Sequence, residues 1–130
     1  MTKARKVFEE AMTLYGIVTE EGQIDETRAA PYRARAIIAL NLLQRDVFKE
    51  ENPDDIRRDV PKDIKDLSDE LSVSDDAAAR CLPYGLVMHF AELDRDALLY
   101  NTYYIEYTNR LQGLAKPRTK IKNVRGRLFY

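Results

Sequence analysis

The chain has 130 residues, enough for one domain around a single core and too few for two. Its composition, 45% hydrophobic and 33% charged, is that of a soluble globular protein, and no stretch approaches the roughly 18 apolar residues of a membrane helix. The net charge of −1 conceals an asymmetry: residues 115–130 carry Lys116, Arg118, Lys120, Lys122, Arg125 and Arg127 with no acid, which is +6 against −7 for residues 1–114. The basic N-terminus passes into Val7-Phe8-Glu9-Glu10 without the apolar middle of a signal peptide, so export is not expected. Cys81 is the only cysteine, which rules out an internal disulfide and fits reducing surroundings.

Val7, Phe8, Ala11, Leu14 and Tyr15 recur at three- and four-residue steps, predicting a helix from about Lys3 to Tyr15 with Thr2 as its cap and Gly16 as its end. Pro31 suits the first turn of a second, central helix whose wide apolar face comprises Ile37, Ile38, Leu40, Leu42, Leu43, Val47 and Phe48. Residues 49–62, with Pro53 and Pro61 among many charges, read as a surface connection. Ile64, Leu67 and Leu71 predict a short amphipathic helix. Ser74 followed by Asp75 and Asp76 is a strong helix start, because the hydroxyl accepts from free amides and the carboxylates favour the helix's positive end.

That helix is expected to run on through Pro83 and to kink there, since proline lacks a donor and crowds the preceding turn. Asp94-Arg95-Asp96 then supplies a turn and a cap, and Tyr100, Tyr104, Tyr107, Leu111 and Leu114 line one face of a long last helix. The fold class is therefore all-α: a small bundle of about four to five helices over residues 1–114, followed by an extended basic tail over residues 115–130. Alternation at Lys120-Ile121-Lys122-Asn123-Val124 permits one short strand in that tail, which would need a partner's edge.

Catalytic chemistry finds no foothold. His89 lacks a second histidine or cysteine at ligand spacing, and Cys81 stands eight residues from it, about two helical turns, too far for direct contact. The acidic pairs fall on polar faces, loops or caps, and five glycines leave little room for a phosphate loop. The expectation is a protein with no catalytic, cofactor or metal site. A small enzyme or metabolite-binding domain would have to rest on Cys81, His89 and the polar tyrosines.

Tyrosine can bury its ring and keep its hydroxyl at a wet boundary, so Tyr100, Tyr103, Tyr104 and Tyr107 are read together as either the rim of the core or a protein interface. The tail can bind nucleic acid or an acidic protein surface, or stay solvated. It lacks a recognition helix and offers only Phe129 and Tyr130 as terminal aromatics, which favours a protein-docking arm built on Lys120, Ile121, Lys122, Val124, Arg125, Arg127, Leu128, Phe129 and Tyr130. A small nucleic-acid-binding regulator using this tail is the alternative.

The segment Leu82-Pro83-Tyr84-Gly85-Leu86-Val87-Met88-His89-Phe90, then Asp94, then Tyr100-Asn101-Thr102-Tyr103-Tyr104-Ile105-Glu106-Tyr107, resembles the head-tail connector (adaptor, or head-completion) proteins of tailed bacteriophages, in particular the short members from Gram-positive-type phages. The earlier helix around Ala39-Leu40-Asn41-Leu42-Leu43 is similar too, so the likeness spans roughly residues 30–130 in outline. The resemblance implies a non-enzymatic virion protein of a phage or prophage, made in the bacterial cytoplasm and placed at the head-tail junction. It would form a ring of about twelve copies on the portal protein, contact neighbouring head-completion or tail proteins, and let DNA pass through without specific binding.

Overall fold

The computed structural model describes residues 1–52 and 61–114. They form an all-α bundle of five helices: α1 (Ala4–Tyr15), α2 (Glu26–Glu51), α3 (Asp75–Arg80), α4 (Leu82–Leu93) and α5 (Ala97–Gln112). The most apolar helix, α4, takes the centre and touches the other four. Its Leu82, Leu86, Val87 and Phe90 are fully buried against Val7, Phe8 and Met12 of α1 and Leu40, Leu43 and Val47 of α2, each worth about 1.5–3 kcal/mol relative to exposure.

Helix α1 ends as expected, with Gly16 at φ 82° donating its amide back to the last carbonyls. Its start differs. Lys3 holds the cap position without a side-chain bond, and Thr2 instead donates its hydroxyl to Asp75 (2.8 Å). The free amides of Ala4 and Arg5 donate to the carbonyls of Asp69 (3.0 Å) and Leu67 (2.8 Å), so a distant loop supplies what a capping side chain would. Helix α2 begins at Glu26, five residues ahead of Pro31. Asp25 decides this by accepting from the Arg28 amide (3.3 Å). Pro31 is tolerated inside the helix because both it and Thr27, whose carbonyl loses its helical donor, face solvent.

The short helix expected around Ile64, Leu67 and Leu71 does not form, although all three side chains are buried. Residues 61–73 are irregular because α2 supplies their backbone partners. Asn41 donates to the Ile64 carbonyl (3.1 Å) and accepts from its amide (2.8 Å); fully buried Gln44 accepts from Ser72 (2.7 Å) and donates to the Lys62 carbonyl (3.4 Å). Asp69 adds a local competitor, accepting from the amides of Lys65 and Asp66.

Ser74 caps α3 as its sequence indicates, accepting from Ala77 (3.1 Å) while donating to Glu51 at the end of α2 (2.7 Å). The single kinked helix expected beyond it is two helices. Cys81, at φ −114° and ψ −44°, interrupts the spiral, and Pro83 becomes the second residue of α4, where its missing N–H is an orphan position anyway. At the α4–α5 turn Arg95 takes a left-handed conformation (φ 58°) and Asp96 accepts from Leu99 (3.1 Å), the predicted cap.

The close crossing of α2, α4 and α5 falls at Gly85. A Cβ there would lie 2.6 Å from Leu43 Cδ2 and 3.0 Å from Tyr107 Cε1. Leu43 is fully buried and Tyr107 nearly so, leaving little room to yield. Gly85→Ala is expected to lower stability by about 1–3 kcal/mol even though alanine favours a helix by up to about 1 kcal/mol; a lower urea midpoint with an unchanged slope checks this.

Candidate functional site

Cys81 and His89, the two reactive side chains singled out from sequence, are buried to different degrees. Cys81 is fully buried, and burial pushes its thiol up to about 11, so it carries no thiolate at neutral pH. His89 is partly buried, and desolvation holds its imidazole below the usual histidine range against the opposing pull of Glu92 and Asp46. Among the described residues no group of three or more His, Cys, Asp or Glu side chains is arranged to hold a metal ion, and no helix is long and apolar enough to cross a membrane.

Asp94 does more than mark a turn. It ends α4, and one of its carboxylate oxygens accepts from both the Tyr15 hydroxyl of α1 and the Tyr32 hydroxyl of α2, the latter at 2.7 Å. The two rings meet edge to face at 5.7 Å, and Tyr32 packs on Phe90 at 4.9 Å. Burial first, then the Asp94 carboxylate, raises both phenols above their ordinary range. This clasp joins the ends of α1 and α4 to the second turn of α2.

The four tyrosines of α5 separate by position. Tyr107, grouped with the others as a partner-contact candidate, belongs to the core: it is 4% exposed and donates its hydroxyl to Asp46 (3.2 Å). Tyr100 and Tyr103 are half-buried, Tyr103 stacking on Tyr84 (6.2 Å), whose ring also carries the Arg110 guanidinium at 3.8 Å. Tyr104 is exposed and stacks on Tyr100 at 5.9 Å. The buried stripe thus runs through Tyr103 where the sequence pattern points to Tyr104. The tail candidates Lys120, Ile121, Lys122, Val124, Arg125, Arg127, Phe129 and Tyr130 lie outside the described residues.

The outward side of α5 is the more unusual surface. Leu98 (81% exposed) and Ile105 (58%) stand seven residues apart, opposite Tyr107. Between them Thr102 satisfies its hydroxyl on the Leu98 carbonyl (3.0 Å), and Asn101 and Asn109 flank the row. Across its 16 residues α5 has only Glu106 and Arg110 as charges, and these pair with each other at 3.8 Å. In a chain that is 33% charged, this solvent-facing ridge shares the depletion of charge found at the centre of protein interfaces.

A second uncovered surface lies between α2 and α4. Ile38 (67% exposed) and Leu42 were expected in the core with the rest of α2's apolar residues, but they face outward. With Arg35, Ala39, His89, Phe90, Glu92 and Leu93 they line an open groove of about 360 Å³. The apolar face of α2 read from sequence was too wide for the bundle to bury. Leu98 and Ile105 could have been found by noting which positions fall opposite the tyrosine stripe.

Tyr107 links the site to stability. Burial, then Asp46, raises its phenol, and Tyr15 and Tyr32 are raised as well. The native phenols stay protonated where those of the unfolded chain ionise, near pH 10. Their contribution is therefore complete below about pH 10 and lost as the pH rises beyond it, with Cys81 adding the same sense from about pH 9. The urea midpoint is expected to hold from pH 7 to about 9 and to fall through about pH 11. Tyr107→Phe should start about 1 kcal/mol lower and fall less steeply, as denaturant titrations across that range would reveal.

No protein-family model, curated protein or solved structure matches the chain.

Proposed function

We propose that this chain is a structural assembly subunit, a head-tail connector of a tailed phage or prophage that forms a ring on the portal and extends the DNA channel toward the tail. The observation that carries the reading is the uncharged outward ridge of α5, at odds with the rest of so charged a chain. A second apolar surface on α2 and α4 supports it, since a subunit inside a ring needs two separate contact faces. The resemblance at residues 82–107 supplies the biological setting. Its distinctive residues have physical duties in this bundle: Pro83 opens α4, Gly85 admits α2 and α5, and Asp94 holds the helix ends together.

In this role the groups that recognise partners are apolar side chains and, in the tail, six cations that steer toward acidic protein surfaces. DNA would pass the acidic body without being gripped, as a channel requires.

Native mass measurement of the protein alone and mixed with a purified portal ring tests the reading. Several copies are expected on each portal ring, and deletion of residues 115–130 is expected to weaken that binding about tenfold or more with the helical circular-dichroism signal retained. A chain that ignores the portal overturns the proposal. Duplex-DNA affinity that falls steeply with salt and vanishes with the tail would favour the nucleic-acid regulator instead.

A further inference from the structure

The ridge on α5 and the groove between α2 and α4 are opposite in form. The ridge is convex, with aliphatic side chains at Leu98 and Ile105 about 10.5 Å apart along the helix, and its intervening Thr102 hydroxyl is already satisfied within the helix. The groove is concave, walled by Ile38, Leu42 and Leu93 and floored by Ala39 and Phe90. His89 contributes a neutral imidazole there at ordinary pH. The remaining exposed large aliphatic residues among those described, Met1 and Leu14, lie on neither surface.

We infer that the ridge of one copy seats in the groove of the next, so that copies of this chain join head to tail through α5 against α2 and α4. The inference rests on the assembly reading above and names the surfaces that carry it. A second copy is the occupant for three reasons. The ridge has no charge with which to recognise a nucleic acid or a charged peptide, so its counterpart must be apolar at its centre. The groove meets that need and has the dimensions of a seat for two or three aliphatic side chains. The rims also carry charge of both signs: Arg35 and Glu92 edge the groove, while Arg95 and Asp96 stand exposed at the start of the ridge.

Because the two surfaces sit on different elements and differ in shape, pairing is heterologous. Every added copy leaves one ridge and one groove open, and the series ends when the rotation closes a ring. A single contact of this size is small, so free chains associate weakly and the closed assembly gains from joining both faces of every copy.

A cysteine pair tests this in the full chain. Leu42→Cys with Leu98→Cys in one chain, oxidised at high protein concentration, is expected to give a ladder of covalent multimers that reductant collapses. Each single variant and the parent, whose Cys81 is buried, should form no covalent multimers. Absence of a ladder overturns the inference. Covalent dimers without higher species overturn the head-to-tail order in favour of reciprocal pairing, and equal cross-linking by the single variants overturns the choice of surfaces. A second measurement uses Ile105→Asp and Ile38→Asp, at exposed positions, each first shown to keep the parent's helical circular-dichroism signal. At the same high protein concentration each alone should abolish the larger species that the parent shows in sedimentation, and a mixture of the two should restore a one-to-one pair and nothing larger; failure to pair overturns the inference. A chain that ladders but ignores a portal ring retains this interface and loses the connector reading. One that binds the portal without laddering does the reverse.

Discussion

Every helix in this bundle packs on α4, and α4 can occupy the centre because one of its residues has no side chain. At Gly85 the methyl groups of Leu43 and the ring of Tyr107 occupy the volume a Cβ would need. That close approach lets α2 and α5 meet over α4 and buries Tyr107 deeply enough that its hydroxyl must find Asp46. It also fixes which side of α5 faces out. Once Tyr107 points inward, Leu98 and Ile105 point away from the bundle, and the uncharged ridge follows from the same geometry as the core.

Polar side chains complete the packing between helices and loops. Asn41 and Gln44, on the buried side of α2, hold residues 61–73 by their backbone, and this loop in turn satisfies the first amides of α1. Asp94 collects two tyrosine hydroxyls from two other helices. A partly satisfied network of this kind would be costly inside so small a domain, and here every named member has its partner.

Much of this was legible in the sequence where a single local rule decided the outcome. Gly16 ends α1, Ser74 starts α3, Asp96 starts α5, and the all-α class follows from repeated three- and four-residue spacing. The misreadings share a cause: a local signal met a tertiary partner. Thr2 is a plausible cap, but the loop's carbonyls reach the amides first. Ile64, Leu67 and Leu71 have helical spacing, but Asn41 and Gln44 offer their backbone better bonds. Pro31 looks like a first residue, but Asp25 caps earlier. Of the candidate site, the sequence pointed to α5 through its tyrosines, of which Tyr107 belongs to the core, Tyr100 and Tyr103 are half-buried and Tyr104 stays exposed. The outward face of the same helix is marked by missing charge, a quieter signal.

The borrowed cap on α1 sets the order in which the chain can become itself during synthesis. α1 leaves the ribosome first, yet the carbonyls that its first amides require belong to residues 67 and 69, and those are held in place by α2. The start of α1 is therefore unfinished until residues 67 and 69 have emerged, and closing that long loop carries an entropic cost that the packed core offsets. A nascent chain arrested before residue 67 would hold α1 with its first amides open to water.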